Sequence, residues 1–125
     1  MDLKKEIKQQ LLKLKQDSWN AAVLVEGKKD KLALEKFGIK NIITIKKPLY
    51  EIVETISENF SACILLLDLD KAGNKLYKTL KDRLQKNGVK IDTRFRSFLF
   101  RHTGLKEIEG LDSFVNHVNN NKIKE

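Results

Sequence analysis

The chain is predicted to fold as an α/β domain, a roughly four-stranded and mainly parallel sheet flanked by helices, and three observations lead there. Two short apolar stretches, Ala21 to Val25 and Ile64 to Leu67, are rich in Val, Ile and Leu and do not alternate with polar residues. Runs of that kind read as strands buried on both faces, as in a parallel sheet. Each leads into an acidic turn, Glu26-Gly27-Lys28-Lys29-Asp30 and Asp68-Leu69-Asp70-Lys71-Ala72-Gly73. Segments with apolar residues three and four apart separate the strand-like runs, and that alternation gives parallel strands joined by right-handed helical crossovers.

Taken in order, residues 2 to 16 place Leu3, Ile7, Leu11 and Leu14 on one stripe among lysines, an amphipathic helix that Asp17-Ser18 breaks. Its stripe suits the chain's own sheet or a neighbouring molecule equally. The first strand follows, ending at Glu26. Lys28 to Phe37 reads as a helix with Leu32 and Leu34 to Phe37 turned partly inward, stopped by Gly38. Asn41 to Ile45 is β-branched and strand-like. Pro48 opens a helix carrying Leu49, Ile52, Val53 and Ile56. Ala62 to Leu67 is the third strand, and Leu76, Leu80 and Leu84 stripe the helix after it, which stops near Asn87-Gly88. Val89 to Phe95 alternates in polarity, so it is predicted as an edge strand. A last helix starts near Glu109 or Leu111 and includes Phe114, Val115 and Val118, and the polar end beyond Asn119 reads as frayed.

In open α/β sheets ligands bind just beyond the carboxyl ends of the strands. That rule brings Glu26, Asp68 and Asp70 into one crevice, where three carboxylates repel one another unless a cation lies between them. An oxygen-only ligand set suits Mg²⁺ or Mn²⁺ rather than a soft metal. Asp68 and Asp70, two residues apart at a strand end, can face the same ion, and Asp70 also suits the N-cap of the next helix. Glu26 is read as a general acid/base or outer metal ligand, since neighbouring carboxylates favour its protonated form. Gly27 would let the chain turn beside Glu26, and Gly73 would allow close backbone approach. Asp30 is equally a site carboxylate or a partner of its helix dipole.

The pair Glu26-Gly27 after one strand and Asp68-x-Asp70-x-x-Gly73 after a later one resembles the Toprim domain. That domain is shared by topoisomerases, bacterial primases, OLD-type nucleases and the maturase of 5S ribosomal RNA. The resemblance covers residues 20 to 96, with residues 1 to 19 as an N-terminal helix and 97 to 125 as a basic and helical extension of the same domain. The ending Thr93-Arg94-Phe95-Arg96, then Lys106-Glu107-Ile108-Glu109-Gly110-Leu111, is similar to small archaeal Toprim proteins. The resemblance implies a Rossmann-like fold, Glu26, Asp68 and Asp70 as catalytic and metal-binding residues, and Mg²⁺-dependent phosphodiester chemistry on RNA or DNA. The alternative is a non-catalytic nucleic-acid- or protein-binding subunit of a larger RNA- or DNA-processing complex; the expected partners are nucleic acid and either a second copy of the chain or such a complex.

Composition bounds these readings. The chain has 125 residues, the length of one domain, and a single cysteine, Cys63, inside a buried-looking strand. No apolar stretch approaches the ~20 residues of a membrane span, and the charged beginning does not suit a signal peptide, so a cytoplasmic protein is expected. Net charge is +8, and the surplus is confined to residues 71 to 106, which alone carry +9. A basic stretch beside an acidic crevice is the footprint expected for a phosphate backbone. Arg94 and Arg96 would face one side of the edge strand, with Arg101 and His102 following, and arginine's planar fork suits bidentate phosphate contact. Lys28, Lys29 and Lys71, at two helix starts, are further candidates for phosphate, and surface ion pairing is the competing account for the arginines. A whole topoisomerase or primase would require more chain than this. Tyr50 and Tyr77, the two tyrosines, do not look like activated nucleophiles.

Overall fold

The computed structural model describes residues 2–120. Ala22–Val25 (β1), Ile42–Thr44 (β2), Ala62–Leu65 (β3) and Lys90–Asp92 (β4) form one parallel sheet in the order β2-β1-β3-β4. Leu3–Asp17 (α1), Lys28–Glu35 (α2), Leu49–Asn59 (α3), Lys71–Lys86 (α4), Arg94–His102 (α5) and Leu111–Asn120 (α6) surround it. A single 3₁₀ turn, Ile108–Gly110, precedes α6.

The non-alternating runs are strands buried on both sides, as their composition requires. Val23, Val25, Ile64 and Leu66 face a layer built from α1, α2, α5 and α6, while Ala22, Leu24, Cys63, Leu65 and Leu67 face α3 and α4. Ile7, Leu11 and Leu14 of α1 are buried in the first of these layers, so the N-terminal stripe packs on the chain's own sheet. Ser18 caps α1 and its hydroxyl receives Lys40 N–H at 2.9 Å, tying the helix end to the approach of β2. Leu32 is about half exposed, contrary to the inward position expected for it; Ala33 and Leu34 take that face instead. Gly38 has φ +76°, the left-handed conformation that stops α2 where a Cβ would be strained. Burial of Cys63 pushes its thiol up to about 12, leaving it protonated and structural.

One predicted element is corrected. The edge strand ends at Asp92, not Phe95, and Arg94 to Phe95 already belong to α5. Phe95, Phe98 and Leu99 lie three and four residues apart and are all buried in the core, so helical packing overrides the local alternation of Arg94-Phe95-Arg96. Arg94 and Arg96 therefore do not share a strand face. The expected fraying lies largely in residues 121 to 125, outside the described residues. Among the described residues no helix is long and apolar enough to cross a membrane.

Candidate active site

Where β1 leads away to β2 on one side and β3 to β4 on the other, the sheet has its topological switch point, and the space beyond the strand ends there is where open α/β sheets bind their ligands. Register carries Glu26 and Asp68 into it. Leu24 pairs with Leu65, so Glu26 lies level with Leu67, one residue before Asp68. The Glu26 Oε2 accepts a hydrogen bond from Asp68 N–H at 2.8 Å, closing the top of the β1–β3 pair. Leu69 turns inward and is buried, while Asp68 is half-buried and Asp70 exposed. Asp70 caps α4, its Oδ1 accepting Gly73 N–H at 2.7 Å. The alternative of capping thus holds for one oxygen of one aspartate.

The electrostatics follow from this crowding. Burial raises the Glu26 carboxyl above its ordinary value; its bond from Asp68 N–H opposes that rise, and the charges of Asp68, Asp70 and Asp30 add to it. Asp30 is more deeply buried than Glu26, and burial raises its carboxyl too, with Asp68 and Glu109 contributing. Its Oδ2 accepts Gly27 N–H at 3.0 Å, so Asp30 reaches back from the third position of α2 and secures the turn after Glu26. Gly27 does not need to be glycine for its conformation: it is extended, and an added Cβ would come no nearer than 4.0 Å to Asp30. Gly73 is the reverse case. An added Cβ would lie 2.2 Å from the Asp68 carbonyl oxygen, so α4 can approach the acidic turn only with hydrogen at this position.

Arg96 is the residue whose role the sequence disguised. It is buried, with Nε donating to Leu67 O at 2.9 Å and Nη2 donating to Asp68 O at 2.9 Å and Asn74 Oδ1 at 2.7 Å. The guanidinium also lies over the Tyr77 ring, 4.1 Å from its centroid. Burial lowers the guanidinium from its ordinary value, and Tyr77, Glu26 and Asp68 pull the other way. A resident cation under the turn thus supplies part of the balancing charge for these carboxylates. Replacing Arg96 with Met should destabilise the protein, since Leu67 O, Asp68 O and Asn74 Oδ1 lose their donor, at about 1–3 kcal/mol for each acceptor left without a partner. Urea denaturation measures this; an unchanged midpoint would mean that water replaces the guanidinium.

The remaining basic candidates are dispersed. Arg94 is held by Asp92, Nη2 to Oδ2 at 2.6 Å, and by Asp17 at 2.9 Å, which keeps the Asp92 carboxyl below the usual range. Lys28 and Lys29 are exposed at the start of α2 and Lys71 at the start of α4, beside the crevice. Arg101 and His102 are exposed at the end of α5, where His102 leans on Phe98.

A strap of chain after α5 completes the crevice. Lys106 O accepts Leu69 N–H at 2.7 Å, and Ile108 N–H donates to Asp68 Oδ1 at 3.1 Å. Ile108 itself is buried in the core below. Each of Glu26, Asp68 and Asp70 therefore has one oxygen on a main-chain N–H and a second with no protein partner among the described residues. These donors have the right chemistry for a hard cation. Among the described residues, however, no three His, Cys, Asp or Glu side chains stand together as a ready ligand set.

A doubly wound parallel sheet with a Glu after its first strand and an Asp-x-Asp turn after its third, meeting at the switch point, defines a class of acidic-crevice α/β domains. The family model of the Toprim domain matches residues 20–93, and the chain belongs to that family, one of nucleic-acid-processing domains. It is 35% identical over 108 residues to a UPF0292 protein of Methanocaldococcus jannaschii, covering 82% of this chain and 84% of that one. A UPF0292 protein of Pyrococcus abyssi is 34% identical over 100 residues, covering 78% and 74%. Among solved structures, a putative protein from Aquifex aeolicus superposes with a TM-score of 0.78 at 36% identity, covering 82% of this chain and 95% of that one. Part of the Aquifex aeolicus primase structure, which comprises its zinc-binding and RNA polymerase domains, has the same fold, with a TM-score of 0.54 at 23% identity; 85% of this chain matches 27% of that one.

Proposed function

We propose that this protein carries out Mg²⁺- or Mn²⁺-dependent phosphodiester chemistry on nucleic acid, in the manner of a small nuclease. The observation that supports the reading is the bond that joins Glu26 to the Asp68 turn at the switch point, with Asp70 at the adjoining helix start and each of the three keeping an oxygen left over from its main-chain bond. Asp68 and Asp70 would hold the cation. Mg²⁺ keeps several of its waters and takes only one or two carboxylates, so two aspartates without a third ligand are a sufficient protein contribution. Such an ion, when bound, neutralises phosphate oxygens and orients an attacking group. Glu26, with its carboxyl raised by burial and by its acidic neighbours, is suited to take up and release a proton. Gly73 and Arg96 set the turn that aims both aspartates.

A second reading has an observation of its own. One oxygen each of Glu26 and Asp68 is engaged by a main-chain donor, and the Arg96 cation lies beneath the Asp68 turn, so part of what a cation would supply comes from the chain itself. That favours a binding subunit which keeps the fold and acts within a larger complex. Incubation of the protein with structured RNA, single-stranded DNA and supercoiled DNA, in Mg²⁺, Mn²⁺ or chelator, separates the two. Cleavage that chelator abolishes supports the enzyme.

Metal binding is tested apart from turnover. Melting temperature should rise with Mg²⁺ or Mn²⁺, because binding to the native state stabilises it, and Asp68→Asn with Asp70→Asn should remove the rise. A double variant that responds to metal as the parent does would move the ion elsewhere.

A further inference from the structure

We propose that a single-stranded nucleic acid crosses the carboxyl end of the sheet on its β2 side, with phosphates on Lys46 and Lys47 and one unpaired base against Tyr50. This rests on the reading that the crevice works on nucleic acid, and it names the form of that substrate and its path.

Register supplies the placement. Val25 pairs with Thr44, so Ile45 lies level with Glu26, and Lys46 and Lys47 follow immediately beyond. Neighbouring strands are about 4.8 Å apart, so the backbone of this loop runs beside the crevice rather than across the molecule from it. The chain turns at once, Lys46 N–H donating to Thr44 O at 3.1 Å, and Pro48 caps α3, which sets Tyr50 in the first turn of that helix. Lys46 and Lys47 are exposed, and among the described residues neither belongs to an ion pair. Lys28 and Lys29, exposed at the start of α2, follow the end of the neighbouring strand β1.

Tyr50 is 64% exposed and belongs to neither hydrophobic core. Its hydroxyl donates to Glu51 Oε1 at 3.3 Å, which orients the ring without covering its faces. An exposed aromatic ring just after a pair of exposed lysines at a strand end suits an unpaired strand: the lysines can follow the backbone and the ring can take a base of any sequence. A duplex would meet the lysines and leave the ring unused, its own bases being stacked on each other. The path over β4 loses two of its arginines, because Arg94 is tied to Asp92 and Asp17, and Arg96 is buried under the Asp68 turn.

The test is oligonucleotide binding by fluorescence anisotropy in chelator, so that nothing is cleaved, using unstructured RNA and DNA strands and the corresponding duplexes. Tyr50→Ala should weaken single-strand binding roughly five- to 150-fold, the range for loss of one base–aromatic stack, and leave duplex binding unchanged. Tyr50→Phe should bind as the parent does. Lys46→Ala with Lys47→Ala should flatten the slope of log K against log salt on single strands by roughly 0.7 per lysine. The RNA and DNA arms tell which sugar is preferred. Equal losses on strand and duplex, or no loss with Tyr50→Ala, would overturn the proposal while leaving the nucleic-acid reading intact. A parent that binds none of these oligonucleotides would overturn both.

Discussion

The Glu26→Gln protein is expected to fold, to bind nucleic acid, and to cleave about 10²- to 10⁴-fold more slowly than its parent, the usual loss when an acid/base group is removed. The glutamine carbonyl can still accept Asp68 N–H, so the bond that closes the crevice survives. Only the ionisable proton is lost. The stability of the metal-free protein should move the other way. The Glu26 carboxyl is raised in the fold, so its protonated form favours folding. That contribution is complete below the ordinary carboxylate range and is lost as pH rises through the raised value. At neutral pH the charged glutamate therefore works against the fold, and the glutamine variant should melt no lower than its parent in chelator. A variant that melts well below the parent would make Glu26 a structural residue. If the parent cleaves no RNA or DNA with any metal while Glu26→Gln changes only binding, the subunit reading holds.

Gly73→Ala is expected to be the most disruptive single methyl in the molecule. The new Cβ would lie 2.2 Å from the Asp68 carbonyl oxygen, which is backbone and cannot swing aside as a side chain would. Either α4 withdraws or the Asp68–Asp70 turn shifts, and both move the oxygen that accepts from Arg96 and the N–H that Asp70 caps. Overpacking of this kind costs about 1–3 kcal/mol and occasionally more. Urea midpoints should fall accordingly, and any metal-induced rise in melting temperature should shrink further than stability alone requires. A variant with the parent's midpoint and metal response would show that the turn has slack.

Those two positions were visible in the sequence because their constraint is local. A glutamate at the end of an apolar strand, and a glycine three residues after an aspartate at a helix start, carry their geometry in their spacing. The strands β1 and β3 were equally plain, since burial on both faces leaves no polar residue in the run. Arg96 was not legible in this way. Its partners Leu67 O and Asp68 O are main-chain atoms almost thirty residues earlier, and a carbonyl accepts a donor whatever side chain its residue bears. Alternation around Arg94-Phe95-Arg96 suggested a strand, and the signal that could have corrected it was the helical spacing of Phe95, Phe98 and Leu99. Ion pairing was one of the two accounts of Arg94, and Asp92 stands two residues from it in the sequence, but Asp17 comes beside it only through the fold. The strap from Lys106 to Ile108 was legible only as a resemblance, because both of its bonds to the acidic turn use main-chain groups of the strap itself.

The stretch matched by the Toprim family ends at residue 93, and the strap lies past that limit. The part that fixes one oxygen of Asp68 is thus outside the part by which the family is known. A chain cut back to the family boundary would retain every strand of the sheet yet leave Asp68 without Ile108 N–H and Leu69 without Lys106 O. Changes in residues 104 to 110 can retune how tightly the crevice grips its carboxylates while no strand is altered. The scaffold that the family model matches and the strap that fixes Asp68 are then two different lengths of chain, and a comparison limited to the shared domain leaves the second out.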